Sequence, residues 1–262
     1  MATETEINEA CSLLETDVLR HLVALKMLHL HGRESELTVR RSGADWGVIT
    51  RLPVAAAPWD RKNYPTASES VIVDGSRPEP AIEMLALAPR AVIVVKTGEP
   101  AVGRALAERG AERRLSLLSF TRGPDTRLPA AAAEVERSDV LDGESARLFG
   151  ENGYLPAELE GHFARGARRF TVREGGRIAS LCFVYQNYGR VWEIAGVYTP
   201  PECRGRGLAK KTVGAALAYL AESGLTPRYQ VVESNWASIA VARSLGLEHF
   251  LTQGHFLWDR RR

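Results

Sequence analysis

Arg204-Gly205-Arg206-Gly207 follows a strand-like run from Val191 to Thr199 and two prolines, and it feeds directly into a helix-like run that begins at Leu208. The first N–H groups of a helix have no partner inside it and sit at the positive end of its dipole. Glycines let such a backbone approach an anion closely, and arginine offers a planar fork that lysine lacks. The combination is a natural cradle for a pyrophosphate. Taken alone, the same four residues also read as a basic surface turn. Two common nucleotide motifs are absent: GxxxxGK[ST] does not occur, and GxGxxG would need glycine where Lys210 stands.

A second block lies about 30 residues further on, where Asn235-Trp236-Ala237-Ser238 opens a helix that closes at Leu245-Gly246-Leu247. Asn235 is a good N-cap in any protein. Together the two blocks resemble the GNAT superfamily of N-acyltransferases. Arg204-Gly205-Arg206-Gly207-Leu208-Ala209 fits its Arg/Gln-x-x-Gly-x-Gly/Ala signature, and the Asn235 block fits its second motif. The resemblance covers roughly the last 125 residues. It implies acetyl-CoA as co-substrate, no metal, and direct transfer of the acetyl group to a primary amine of a small molecule or peptide. Backbone groups of Val197, Tyr198 and Thr199 are then expected to hold the pantetheine and the acyl carbonyl. Arg204 to Ala209 are expected to wrap the pyrophosphate, with Asn235 and Ser238 facing the pantetheine.

Attack by an amine calls for a base, a donor to the developing oxyanion and a departing thiolate. Glu193 is the first candidate base. It shares strand parity with Val197, so both are expected on one face. The competing reading is a strand glutamate paired with an arginine; Glu233 and water are alternative proton acceptors. Many family members carry a tyrosine, as acid to the sulfur, where this chain has Ala242. Tyr198 or Tyr229 could replace it, or the thiol, with an ordinary pKa of about 8.5, could leave unaided. The same departure keeps open a catalytically silent acyl-CoA sensor. Tyr185, Tyr188 and Trp192 flank the expected acceptor side and also read as ordinary hairpin packing.

Periodicity supplies the elements around these residues. In the first half, Leu13 to Leu28 has helical spacing and Gly32 a stop. Strands follow at 37–41 and 46–52, a proline-bearing loop at 53–65, and then strand from 70, helix 80–87, strand 91–95, helix 100–109 and strand 115–120. In the second half, helices at 143–149 and 156–165 precede strands at 170–173, 178–185 and 191–199, with Gly175-Gly176 as a hairpin turn. A long helix to Glu222, a strand at 229–233, the Asn235 helix and a last strand at 249–258 complete it. The fold class is α/β: a GNAT fold over 135–262, a linker at 122–134, and an N-terminal α/β domain over 1–121. Leu87-Ala88-Pro89-Arg90 and Leu225-Thr226-Pro227-Arg228 lie 138 residues apart, and Gly110 and Gly246 lie 136 apart. This suggests a degenerate GNAT-like repeat, an arrangement the glycine N-acyltransferase-like branch of the family also carries.

Composition bounds the remainder. The 262 residues are 45% hydrophobic and 25% charged, with a formal net charge of +2, which is globular and gives no footprint for nucleic acid. Cys11, Cys182 and Cys203 are too few and too scattered for a disulfide framework or a metal motif. No apolar run approaches the roughly 18 residues of a membrane span, and the acidic start lacks the features of a secretion signal. A cytoplasmic protein without nucleic-acid or membrane partners is expected, with an oligomeric state the sequence leaves open. The Arg260-Arg261-Arg262 end reads as a solvated terminus.

Overall fold

A computed structural model describes residues 1–123, 126 and 133–261. In chain order the elements are α1 (Glu4–Leu14), α2 (Leu22–His31), β1 (Glu36–Ser42), β2 (Asp45–Pro53), α3 (Pro58–Asn63), β3 (Glu69–Gly75), α4 (Pro78–Met84), β4 (Val92–Thr97), α5 (Pro100–Glu108) and β5 (Glu112–Arg122). They continue with β6 (Val135–Ser138), α6 (Gly143–Glu151), α7 (Pro156–Ala164), β7 (Arg168–Glu174), β8 (Arg177–Tyr188), β9 (Val191–Tyr198), α8 (Leu208–Glu222), β10 (Thr226–Val232), α9 (Trp236–Ser244) and β11 (Leu247–Asp259).

Two compact units divide this list. The first comprises Met1–Leu117 and the chain from Leu251 onward; the second is Leu118–Phe250. Composition had placed everything beyond 135 in one domain. The later part of β11 belongs with the first unit instead, because it pairs antiparallel with β4 from Gly254 opposite Thr97 to Asp259 opposite Val92. Much of the expected 122–134 linker lies outside the described residues.

The first unit orders its strands β1-β2-β3-β4-β11 and the second β5-β10-β9-β8-β7-β6. Two antiparallel pairings in the first unit, and three in the second, lead to one parallel pair, β3 with β4 and β9 with β10, joined by α4 and α8 respectively. The two units thus share the succession of antiparallel strands, parallel pair and connecting helix. The four-residue signature that hinted at a repeat does not mark equivalent places, since Arg228 lies inside β10 while Arg90 precedes β4.

Local chemistry explains where the elements differ from the periodicity. The single helix expected over Leu13–Leu28 breaks after Leu14. The Thr16 hydroxyl bonds the Leu13 carbonyl at 2.6 Å and the Asp17 carboxylate accepts the Arg20 N–H at 3.1 Å, both in competition with helical bonding. In the expected 53–65 loop, Pro58 starts the short helix α3, because a proline at the first helical position loses no bond. Gly175 and Gly176, at φ +54° and +80°, make the β7–β8 hairpin as expected.

The second unit has an apolar core on each sheet face. Cys182, Val184, Ile194, Tyr229 and Val231 pack with residues of α8 and α9. Leu181, Phe183, Tyr185 and Ala195 pack with residues of α6 and α7 on the other side.

Candidate active site

β8 and β9 run in register through Phe183 opposite Ala195 and resume at Leu181 opposite Tyr198, so β9 carries one extra residue. The bulge falls at Gly196, whose φ is +62°. A Cβ there would stand 2.6 Å from the Phe183 ring and 2.9 Å from that of Phe149, so both backbone and packing require glycine. This overturns the parity expected for Glu193 and Val197. Past the bulge the alternation reverses: Tyr198 packs with Ala195 on the α6–α7 side, while Val197 packs with Ile194 on the α8–α9 side. Glu193 stands opposite Tyr185 and so faces α6 and α7.

The bulge also ends a ladder. β9 and β10 pair in parallel from Val191 with Thr226 to Ile194 with Tyr229, although the strands continue to Tyr198 and Val232. Beyond that point the backbone of Ala195 to Tyr198 has no ladder partner in β10. Gly196 donates its N–H to Tyr154 Oη at 3.1 Å, and the Val197 carbonyl accepts from Asn152 Nδ2 at 3.4 Å. An extended ligand with amides of its own meets this edge as another strand would.

The edge leads into the glycine-rich turn. Gly205 and Gly207 lie at φ +75° and +74°, in the left-handed region. Gly207 is the N-cap of α8, and no side chain caps that helix. Arg204 through Gly207 are exposed, while Leu208 anchors the turn in a small core with Val172 and Ala179. The donors of the cradle are thus backbone N–H groups at a helix N-terminus. Of the arginines expected to supply its charge, Arg206 has its fork on Glu174 through bonds of 2.6 and 2.7 Å, and Arg204 is tethered by Nε, which donates to the Thr199 carbonyl at 3.0 Å. The first unit has no counterpart. Its β3–α4 turn enters a helix that begins Pro78-Glu79-Pro80, and the prolines remove two of the N–H groups a cradle needs.

Glu193 heads a buried polar row. Its Oε2 accepts from Asn187 Nδ2 at 2.5 Å and from Arg228 Nη1 at 2.9 Å. Arg228 Nη2 reaches Ser119 Oγ at 3.1 Å, and Gln230 Nε2 reaches the same oxygen at 3.4 Å. The row crosses β8, β9, β10 and β5. Both contacts of Glu193 converge on Oε2, and among the described residues no protein donor reaches Oε1. The arginine pairing named as the competing reading for Glu193 is therefore present. Asn187 Oδ1 and Arg228 Nε are buried without a partner. Neither residue was read from the sequence as part of a site; Arg228 was noted only in the repeat signature. Asn187 reaches Glu193 from a second bulge, in β8, and Arg228 from a strand 35 residues away.

Around this row the α6–α7 face is aromatic. Tyr185 lies 4.0 Å from the His162 ring between centroids and 5.7 Å from that of Phe183. Burial, and then the Glu193 charge, push the Tyr185 and Tyr154 phenols well up, so both stay protonated. Trp192, grouped with Tyr185 in the sequence, packs on the opposite face.

On the α8–α9 side, Asn235 is the N-cap of α9, its side chain accepting the Ser238 N–H at 3.1 Å. Ala242 is fully buried in the core and brings no hydroxyl of its own. Tyr229 is buried with its Oη unbonded, and its phenol is pushed up to about 12, chiefly by burial. Tyr198 donates to Glu151 Oε2 at 3.0 Å. Among the described residues, no helix is long and apolar enough to cross a membrane.

Comparison with known proteins places this geometry. Residues 138–247 match the model of the Acetyltransferase (GNAT) family. No curated protein matches the chain. Among solved structures, a Drosophila protein is 14% identical with a TM-score of 0.64, covering 99% of this chain and 98% of its own. An acetyltransferase of the GNAT family from Colwellia psychrerythraea is 11% identical with a TM-score of 0.62, each chain covered to 98%. A tandem GNAT protein from the clavulanic acid biosynthesis pathway is 16% identical with a TM-score of 0.55, covering 97% of this chain and 95% of its own. At such identities the likeness is one of fold, and it extends over both units. The match to the GNAT acetyltransferase family falls within the second unit, the one with the open strand edge and the uncapped helix.

Proposed function

We propose that the protein is an N-acetyltransferase that moves the acetyl group of acetyl-CoA to a primary amine of a small molecule or peptide, by direct attack in a ternary complex. The observation that carries this is the unpaired edge of β9 beyond Ile194, continuous with the N-terminus of α8. Pantetheine amides extend that edge, with Asn235 and Ser238 facing them, and the pyrophosphate rests on the N–H groups from Gly205 to Ala209. The acyl carbonyl lies against the Val197 backbone N–H, which stabilises the oxyanion.

In the reaction the amine lone pair forms the N–C bond to the carbonyl carbon. The tetrahedral intermediate then collapses, the C–S bond breaks, and sulfur leaves with the electron pair as thiolate. The proton lost from nitrogen passes to Glu193 Oε1, directly or through a water, while Arg228 and Asn187 fix the carboxylate by its other oxygen. No side-chain acid is assigned, because Ala242 supplies none and a thiolate is an adequate leaving group. The second unit holds this chemistry, in a protein read as cytoplasmic.

The test is thermal unfolding with excess acetyl-CoA, on wild type and Gly207→Glu, followed by release of free thiol with a panel of amines. A rise in Tm that the variant loses, together with thiol release, is the expected result. A stable complex that releases no thiol with any amine would instead assign the acyl-CoA sensor, the reading that the sealed Ala242 favours. No rise at saturating acetyl-CoA would overturn both.

A further inference from the structure

At the arginine-rich end Arg261 is solvated as expected, whereas Arg260 is docked on the fold. In the first unit, the Arg260 backbone N–H donates to the Ala91 carbonyl at 3.0 Å, and its Nη1 bonds the carbonyls of Ala88 and, at 3.4 Å, Leu85. The guanidinium lies over the Trp258 ring, 4.6 Å from its centroid. A cleft of about 540 Å³ opens beside it, lined by Arg90, Arg109, Trp258, Asp259, Arg260 and Arg261.

Four arginines therefore meet one carboxylate, and that carboxylate is engaged. Asp259 holds Arg261 through bonds of 3.0 and 2.7 Å. Among the described residues, Arg90, Arg109 and Arg260 have no acidic partner. Arg109 uses Nη1 on the Ala105 carbonyl at 2.7 Å, which fixes the side chain and spares the rest of its fork. Burial, followed by the charges of Arg90 and Arg109, lowers the Arg260 pKa, so the three cations sense one another. Gathering like charges against low-dielectric walls is unfavourable in the free protein and concentrates a positive field in the cleft.

We propose that this cleft is a binding site for a phosphate group, taken as free phosphate or as a phosphate monoester. Charge complementarity selects the class. One carboxylate would leave most of the charge of three arginines unmatched, whereas a phosphate dianion brings two charges and several acceptor oxygens to planar forks. The site is not a remnant of a coenzyme cradle. In the second unit the cradle follows the C-terminal end of β9, whereas this cleft borders the N-terminal end of β4, where Asp259 pairs with Val92.

The test is isothermal titration of the full chain with inorganic phosphate and with glycerol 3-phosphate, at constant ionic strength set by chloride. It uses wild type, Gly207→Glu, Arg90→Gln and Arg109→Gln. Gly207→Glu blocks the cradle, so phosphate binding that persists there belongs to the cleft. Among the described residues the Arg90 side chain has no hydrogen-bond partner, and Arg90→Gln should keep the wild-type Tm while weakening binding tenfold or more; Arg109→Gln should weaken it likewise. Tighter binding of glycerol 3-phosphate would identify an ester as the ligand, and equal binding the phosphate group alone. Absence of binding in Gly207→Glu, or unchanged affinity in both arginine variants, would overturn the proposal. So would stabilisation by chloride equal to that by phosphate, since screening of the arginines would then account for it.

Discussion

Glu193 and Arg228 face each other across two parallel strands, joined by a 2.9 Å bond from Nη1 to Oε2, with side chains only 11% and 4% exposed. Breaking a buried pair on one side leaves the other charge stranded, at a cost of about 3–5 kcal/mol. Glu193→Gln should therefore lower stability by an amount of that order, measured by urea unfolding. If Glu193 also takes the amine proton, turnover should fall about 100-fold, the usual range for a lost general base, with acetyl-CoA affinity held within threefold. The pH–rate profile separates the two roles, since a purely structural loss would lower the profile without changing its shape.

Gly196→Ala tests the bulge. The new methyl meets two aromatic rings, and the left-handed backbone resists any side chain. A loss of about 3 kcal/mol or more is expected from strain and overpacking together. Acetyl-CoA affinity should fall with it, because the bulge ends the β9–β10 pairing. Undiminished affinity in the folded variant would separate the bulge from the ligand edge.

Glu174→Gln tests what the Arg206 fork does. The pair is exposed and screened by solvent, so Tm should hardly move. Releasing Arg206 next to the cradle should tighten acetyl-CoA binding, and the gain should shrink with added salt. Calorimetry at two ionic strengths measures both.

The first unit should carry a pH dependence through His255. This side chain is buried, contacts Tyr64 Oη at 2.6 Å, and has its pKa lowered to about 3 by burial and, secondarily, by the Lys96 charge. The folded value lies below the unfolded one of about 6.5, so the unfolded chain binds more protons between them. The contribution is complete above pH 6.5 and is lost progressively as pH falls toward 3, at up to about 1.4 kcal/mol per pH unit. Urea unfolding at pH 7, 6 and 5 should show this slope in wild type and a shallower one in His255→Gln.

The turn and cap that rest on local geometry were legible in the sequence. A glycine-rich turn between strand and helix, and an asparagine one residue before a helix, depend on a few neighbouring positions, and Gly205, Gly207 and Asn235 stand where they were expected. What failed depended on register. The alternation that put Glu193 and Val197 on one face held up to Gly196, and a single inserted residue reversed it. Asn187 and Arg228 meet Glu193, and Ser119 meets Arg228, because four strands align, and no local pattern encodes that alignment. Arg204 and Arg206 were read for charge alone, without the carbonyl and carboxylate that hold them.

The placement of β11 bears on how the chain is made. β4, with its buried run Ile93-Val94-Val95, gains an antiparallel neighbour only when residues 254–259 arrive. Throughout synthesis of the second unit, that side of the β4 backbone lacks its final partner, and an open apolar strand edge invites pairing with other chains. The N-terminal unit is thus translated first but completed last. Ribosome-bound nascent chains are where this protein should depend most on chaperones, and a fragment cut at the interdomain loop would inherit that unfinished edge permanently.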